Sequence, residues 1–179
     1  LKAGVPKETP ALTVNRLCGS GLEAITQAAR MIMTGEARIA VAGGAENMSM
    51  IPHVIRGARW GIPLFEAPMH DYLYEALYDP IGQVYMADTA ENLAVRYGLT
   101  REEIDRHALS SHQKALAAIE SGKLGEEIVP VTVLERKETI VVDRDQQPRQ
   151  TSMEQLARLQ PRFKEDGVVT AGNASGLND

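Results

Sequence analysis

The sequence predicts an α/β fold built around a parallel sheet, and three observations carry that prediction. A stretch with helical spacing, Gly21 to Thr34, lies between two strand-like stretches, Thr13 to Leu17 and the run "ARIAVAGG". The second of these is continuously apolar, the pattern of a strand covered on both faces. Strand, helix and strand in so short a span make a βαβ unit, whose crossover is right-handed.

Taken in order, the first helix places Leu22, Ile25, Ala29, Ile32 and Met33 on one face. Gly35 ends it, because glycine enters the left-handed C′ conformation without a Cβ clash. After Ser49 the period is lost: Pro52, Pro63, Pro68 and Pro80 alternate with glycines and Trp60, which reads as a long excursion from the sheet. Order returns at "MADTAENLAVRYG", where Asp88 is the expected N-cap, Glu91 completes a D-x-x-E pattern and Gly98 is the stop. The next helix has Thr100 as N-cap, Glu103 three residues on and Gly122 as the stop, with Ile104, Ala108, Ser111, Ala115 and Ile119 facing inward. "IVPVTVLE" and "TIVVD" flank "RKE" and predict a β-hairpin with Pro130 at a strand start or edge. A short helix is expected near Ser152 to Leu159, and "GVVTAGNASG" as a strand returning to the main sheet.

Composition bounds the function. A chain of 179 residues with 44% apolar content is globular, as one domain or part of a larger one. A net charge of −5 with scattered Lys and Arg argues against a nucleic-acid surface. A single cysteine excludes an internal disulfide and fits a reducing, cytoplasmic setting. No apolar run is long enough for a membrane span. The opening "LKAGVPKETPAL" and the closing "GNASGLND" read as the edges of an internal segment of a longer protein.

Cys18 has two readings. A lone cysteine is commonly a small hydrophobe filling a gap. Here, however, Cys18 stands just before a helix, where unpaired N–H groups and the positive dipole end favour a thiolate. Gly19 and Gly21 clear side chains from the approach of a substrate carbonyl. A strand–Cys–helix turn also resembles the nucleophile elbow of serine hydrolases, and the Cys18 N–H is placed to help hold a carbonyl oxygen. Its base is harder to find among His53, His70, His107 and His112. The last two lie on a surface helix, the first two in the irregular region, and the four show no zinc-ligand spacing. No metal site is expected. Glu46, after two glycines, has no second carboxylate spaced to work with it and reads as a buried or hydrogen-bonded residue at a strand end.

Together and in this order, "VNRLCGSGLEAI", "VAGGAENMSM", "MADTAENLA", "EEIVPV" and "VVTAGNASGLND" resemble the thiolases. The resemblance implies a layered α/β/α/β/α enzyme, present here in part. Residues 1–47 would belong to the N-terminal domain with its nucleophile elbow. Residues 48–166 would form the inserted α+β loop domain that covers coenzyme A, and 167–179 would return to the N-terminal sheet. Cys18 would take an acyl group from a 3-ketoacyl-CoA, releasing acetyl-CoA, and a second CoA would remove it; the reverse condensation uses the same groups. The family's His, its Asn-containing block and its second Cys lie beyond Asp179, so this stretch alone should be inactive.

The resemblance also carries over pocket residues. Met86 matches a Met over the pantetheine and acyl pocket and points to short or medium acyl chains. Tyr85 stands where many short-chain thiolases have His. Leu77 matches an apolar wall of the CoA site, Arg149 a basic residue near the nucleotide end of CoA, and Ala171 and Ser175 residues contacting pantetheine. Coenzyme A is thus implied as substrate, with no permanently bound cofactor, in a homodimer or homotetramer active in fatty acid metabolism. The rival readings are a cysteine hydrolase using His53 or His70, a β-ketoacyl synthase relative, and a thiolase-like CoA- or lipid-binding protein without catalysis.

Overall fold

The computed structural model describes residues 2–135 and 138–179, which divide into two compact units. One runs to Ile51 and takes in Asp179; the other spans Pro52–Asn178.

The first unit is organised around helix α1, Ser20–Met33. As predicted, the left-handed residue just past it is Gly35, with φ 76°. The two strands predicted here are not formed. Around Thr13 to Leu17 the side-chain oxygen of Asn15 accepts from the Leu17 N–H at 2.8 Å, and Leu17 turns to φ 50°, outside the β region. Only an isolated bridge between Arg16 and Cys18 remains. The "ARIAVAGG" run makes no ladder among the described residues, and Ile39 and Val41 are 88% and 98% exposed. A parallel strand takes every ladder bond from neighbouring strands, so an apolar run does not form one by itself. A 3-10 turn, Met48–Met50, follows, capped by the Asn47 side chain, which accepts from the Met50 N–H at 3.1 Å. Asp179 closes on this turn, accepting from the Ser49 hydroxyl at 2.6 Å and from its N–H at 2.8 Å.

The second unit opens with strands β1, His53–Ile55, and β2, Met69–Asp71, paired antiparallel with His53 opposite Asp71. Helix α2, Tyr72–Ala76, starts at Asp71, whose carboxylate accepts from the Leu73 N–H. Strands β3, Tyr78–Asp79, and β4, Val84–Tyr85, form a tight ribbon leading into helix α3, Met86–Tyr97. Helix α4, Arg101–Glu120, follows after Gly98 in the left-handed region. Then come strands β5, Val131–Glu135, and β6, Glu138–Val142, and the short helix α5, Met153–Ala157.

The predicted hairpin is present, in the register Val131 opposite Val142; Arg136 and Lys137 of its turn lie outside the described residues. All three ribbons among the described residues are two-stranded and antiparallel, so the expected parallel ladder is not closed there.

Helix α4 starts as its sequence dictates. The Thr100 N–H donates to Glu103 at 2.8 Å and the Glu103 N–H returns to the Thr100 hydroxyl at 3.3 Å. The Thr100 N–H bond, then the Thr100 hydroxyl, which also donates to the carboxylate at 2.8 Å, hold the Glu103 carboxyl below the usual range. Helix α3 departs from expectation. It begins three residues earlier, so Asp88 is the third helical residue and accepts from the Tyr85 N–H at 2.8 Å. Glu91 is then free of any capping duty and is buried instead, as is Asp105 on α4. Of the predicted inward face of α4, Ser111 is exposed while Ile104, Ala108, Ala115 and Ile119 are half-buried.

The core of this unit is Ala94 of α3, Leu156 of α5 and Val169, together with Glu91, Asp105 and Thr170. "GVVTAGNASG" is therefore buried but not a strand. The N–H groups of Val168 and Val169, which a ladder would use, go to the Glu91 carboxylate. From Thr170 the chain turns, with the Asn173 and Ala174 N–H groups donating to its carbonyl.

Candidate functional site

Cys18 is a free, exposed thiol two residues ahead of α1. Its turn is tied from both sides. The Gly19 N–H donates to the Arg16 carbonyl and the Ser20 N–H to the Leu17 carbonyl, both at 3.0 Å. The Ser20 hydroxyl accepts from the Arg16 N–H at 2.9 Å and donates to the Leu17 carbonyl at 2.7 Å. Leu17, immediately before the thiol, has a positive φ that a non-glycine residue adopts only at a cost of about 1–3 kcal/mol. The elbow character anticipated for Cys18 thus sits one residue upstream, and the thiol is presented to solvent rather than packed. Arg16 also pairs with Glu23 of α1 at 3.0 Å. A side-chain bond from Gln27, then that from Arg16, hold the Glu23 carboxyl below its ordinary range.

In the second unit, Leu77, Tyr85 and Met86 come together. The Met86 N–H donates to the Leu77 carbonyl at 3.0 Å, and the β3–β4 register sets Tyr85 opposite Tyr78. Their rings lie 5.1 Å apart at 58°, a tilted aromatic pair. Leu77 is half-buried, whereas Tyr85 and Met86 remain exposed.

Arg149 and Ser175 meet elsewhere in this unit, in the lining of a cleft of about 750 Å³ along α4, with His107, Ser111, Gln147 and Asn173. The Arg149 N–H donates to Nδ1 of His112 at 3.4 Å, which places the segment against the helix. Ala171 is exposed at the crest of the same turn that carries Ser175.

That turn is built on groups that the sequence reading did not single out. Glu91 accepts from Val168 through both oxygens, at 3.0 and 2.9 Å, and from Val169 at 2.8 Å. Asp105 is only 1% exposed and receives the Arg101 guanidinium at 2.8 Å and the Asn173 amide at 2.9 Å. Asn173 also donates to the Val168 carbonyl and accepts from the Thr170 N–H. Arg101 reaches on to the Leu156 and Leu159 carbonyls at the end of α5, at 2.7 and 2.9 Å, the first of which also accepts from the Leu159 N–H. A legible signal did exist: Ala87, Glu91 and Ala94 share one helical face, so the carboxylate interrupts an apolar stripe.

The two histidines of the irregular region face carboxylates of their own unit. His70 Nδ1 lies 3.3 Å from Glu75, which also holds Arg56, and His53 lies 4.0 Å from Asp71. The Arg56 bond is the main cause lowering the Glu75 carboxyl. Glu46, expected at a strand end, is exposed and accepts from the adjacent Asn47 N–H at 3.2 Å. Among the described residues no helix is long and apolar enough to cross a membrane.

The family described as the thiolase N-terminal domain matches residues 1–179. An acetyl-CoA acetyltransferase of Pseudomonas aeruginosa is 51% identical over an aligned length of 182, covering 100% of this chain and 46% of that protein. The crystal structure of the Bacillus anthracis acetyl-CoA acetyltransferase superposes with a TM-score of 0.92 at 46% identity, covering 98% of this chain and 45% of that one. Human mitochondrial 3-ketoacyl-CoA thiolase in complex with CoA gives 0.88 at 46% identity, covering 98% and 44%. The chain therefore spans about half the length of the relatives it matches. At this likeness the fold is the thiolase-like α/β fold that the sequence predicts, present in part, although its parallel ladders are not closed among the described residues. By sequence over its whole length, and by fold, the chain belongs to the thiolase family as a stretch of the N-terminal domain.

Proposed function

We propose that the full-length protein carrying this chain transfers acyl groups between coenzyme A thioesters through a covalent intermediate on Cys18. The observation that carries this reading is the exposed thiol on a strained turn directly ahead of α1, in a chain of the thiolase family. The Cys18 sulfur attacks the 3-keto carbon of a 3-ketoacyl-CoA. The bond between that carbon and the α-carbon breaks, its electron pair takes up a proton, and acetyl-CoA leaves. The acyl group stays on sulfur as a thioester until a second CoA thiol removes it; condensation runs the same steps in reverse. Holding thiol and thioester in register is the larger part of such catalysis. The chain spans about half the length of its relatives, and this reading takes the proton-transfer groups from the remainder of the full-length protein.

In this scheme Leu77, Tyr85 and Met86 wall the acyl and pantetheine end, a reading supported by the Met86 N–H to Leu77 carbonyl bond beside the β3–β4 ribbon that holds Tyr85. Ala171 and Ser175 contact pantetheine from the turn, and Arg149 meets the nucleotide end. The domain division is 1–47 for the N-terminal domain, 48–166 for the loop domain over CoA, and 167–179 for the return. The enzyme is a cytoplasmic homodimer or homotetramer of fatty acid metabolism, with acyl-CoA and CoA as its only ligands.

The test uses full-length protein mixed with acetoacetyl-CoA in the absence of free CoA, quenched in acid and mapped by peptide mass spectrometry. An acetyl group on the Cys18 peptide, absent from Cys18→Ser, is the expected result. Bound CoA with no adduct on Cys18 overturns the reading in favour of a binding protein.

A further inference from the structure

Two carboxylates are buried in the second unit, and neither belongs to the acyl-transfer chemistry assigned to Cys18. Burying a charge in a small core is a poor way to gain stability, because the desolvation cost consumes most of what the pairing returns. What a buried carboxylate does supply is direction, since several donors converge on it from fixed angles. Glu91 receives the consecutive N–H groups of Val168 and Val169, and Asp105 receives the side chain of Asn173. Every residue from Val168 to Asn173 except Ala171 thereby makes a bond to a carboxylate or within the turn itself, Gly172 donating to the Thr170 hydroxyl. There is no slack around it. A Cβ on Gly172 would stand 2.5 Å from Leu159 and 2.6 Å from Leu156, and one on Gly167 would fall on the Glu91 carboxylate.

Glu91 lies on α3, the helix whose first residue is Met86. Five residues separate them, or about 7.5 Å along a helix axis. The residue that fastens the turn bearing Ala171 and Ser175 is therefore on the same rigid rod as the residue proposed to cover pantetheine. Asp105 fastens the same turn from α4, the helix along which the cleft lined by Arg149 and Ser175 runs.

We propose that Glu91 and Asp105 are positioning residues for coenzyme A, holding the 168–175 turn at a fixed spacing from Met86 and from the α4 cleft. The proposal rests on the reading that this turn and Met86 contact CoA. It assigns neither carboxylate a contact with substrate.

The experiment measures CoA affinity by titration calorimetry in the full-length protein, and the rate of Cys18 alkylation by iodoacetamide, which needs no CoA. Glu91→Gln keeps the side chain's shape but sets an amide donor against the Val168 N–H. Gly167→Ala presses on the same contact from the other side, so either variant carries the test if the other does not fold. Displacing a binding group by a fraction of an ångström to an ångström weakens binding by roughly tenfold or more. The expected result is that loss of CoA affinity in both variants, with the alkylation rate unchanged and no rescue by Glu91→Asp, which is one methylene too short. An unchanged CoA affinity in a folded variant overturns the proposal, whatever happens to the melting temperature. So does a joint collapse of CoA affinity and Cys18 alkylation, which marks a general structural role. Wild-type protein that binds CoA but acquires no acyl group on Cys18 overturns the catalytic reading and leaves the positioning claim to be judged by the affinities. Wild-type protein that binds no CoA overturns both.

Discussion

No described residue of the unit that runs to Ile51 is buried, whereas the Pro52–Asn178 unit holds every buried residue among those described. The first is held by short-range bonds at its turns, around Cys18 and between Ser49 and Asp179. The second closes a small centre in which Glu91, Asp105 and Thr170 sit among Ala94, Leu156 and Val169. The exposed apolar residues of the first, Leu22, Ile25, Ile39 and Val41 among them, belong to a chain that spans about half the length of its relatives. A loop that must present side chains at a set spacing needs long-range anchors, and the second supplies them through side chains rather than through a sheet.

The largest effect that would break this contrast is removal of an internal anchor. Asp105→Ala leaves the Arg101 guanidinium and the Asn173 amide without their shared acceptor, and should cost roughly 3 kcal/mol. Urea unfolding reads this as a lower midpoint at unchanged slope; a shift no larger than that of an exposed alanine substitution would show that the anchor is not needed. A smaller loss, about 1 kcal/mol, is expected from Thr100→Ala, which removes only the cap of α4. If the two substitutions proved equal, the special place given to the buried carboxylate would be lost.

The smallest effect sharpens the other side of the contrast. Hydrogen bonds from the Ser49 hydroxyl, then from its N–H, hold the Asp179 carboxyl below its ordinary range. A depressed carboxylate contributes stability above its unfolded-state pKa and loses it as pH falls through the folded value. Acidification below the usual Asp range should therefore release the Asp179 contact with Ser49. Chemical shifts of the Ser49 amide against pH follow it directly, and Ser49→Ala should raise the Asp179 midpoint. An unmoved midpoint would dismiss the contact.

What was legible in the sequence is what neighbours decide. The Thr100–Glu103 box, the glycine stops at Gly35, Gly98 and Gly122, and the β5–β6 hairpin all join residues close in the chain. Two kinds of feature were not. The Cys18 turn and the "ARIAVAGG" run read as strands because their composition suits a sheet, but pairing is a property of the neighbour and not of the segment. Glu91 and Asp105 bond to residues 77 and 68 positions away, a distance at which periodicity carries no information. Glu91 was further masked by its plausible place in a capping pattern, which the earlier start of α3 takes over through Asp88. Of the candidate site, the grouping of Leu77, Tyr85 and Met86 follows from near sequence neighbours, while the meeting of Arg149 and Ser175 in one cleft does not.

The Ser49–Asp179 contact joins positions 130 residues apart, and the second unit begins three residues after one partner and ends one residue before the other. Closing a flexible loop costs free energy only logarithmically in its length, about 0.6 kcal/mol for each doubling. A unit hung on such a closure can gain or lose whole segments with little penalty at the point of attachment. Variation in length among kindred proteins is accordingly expected to accumulate between Pro52 and Asn178, leaving the turn that bears Cys18 untouched.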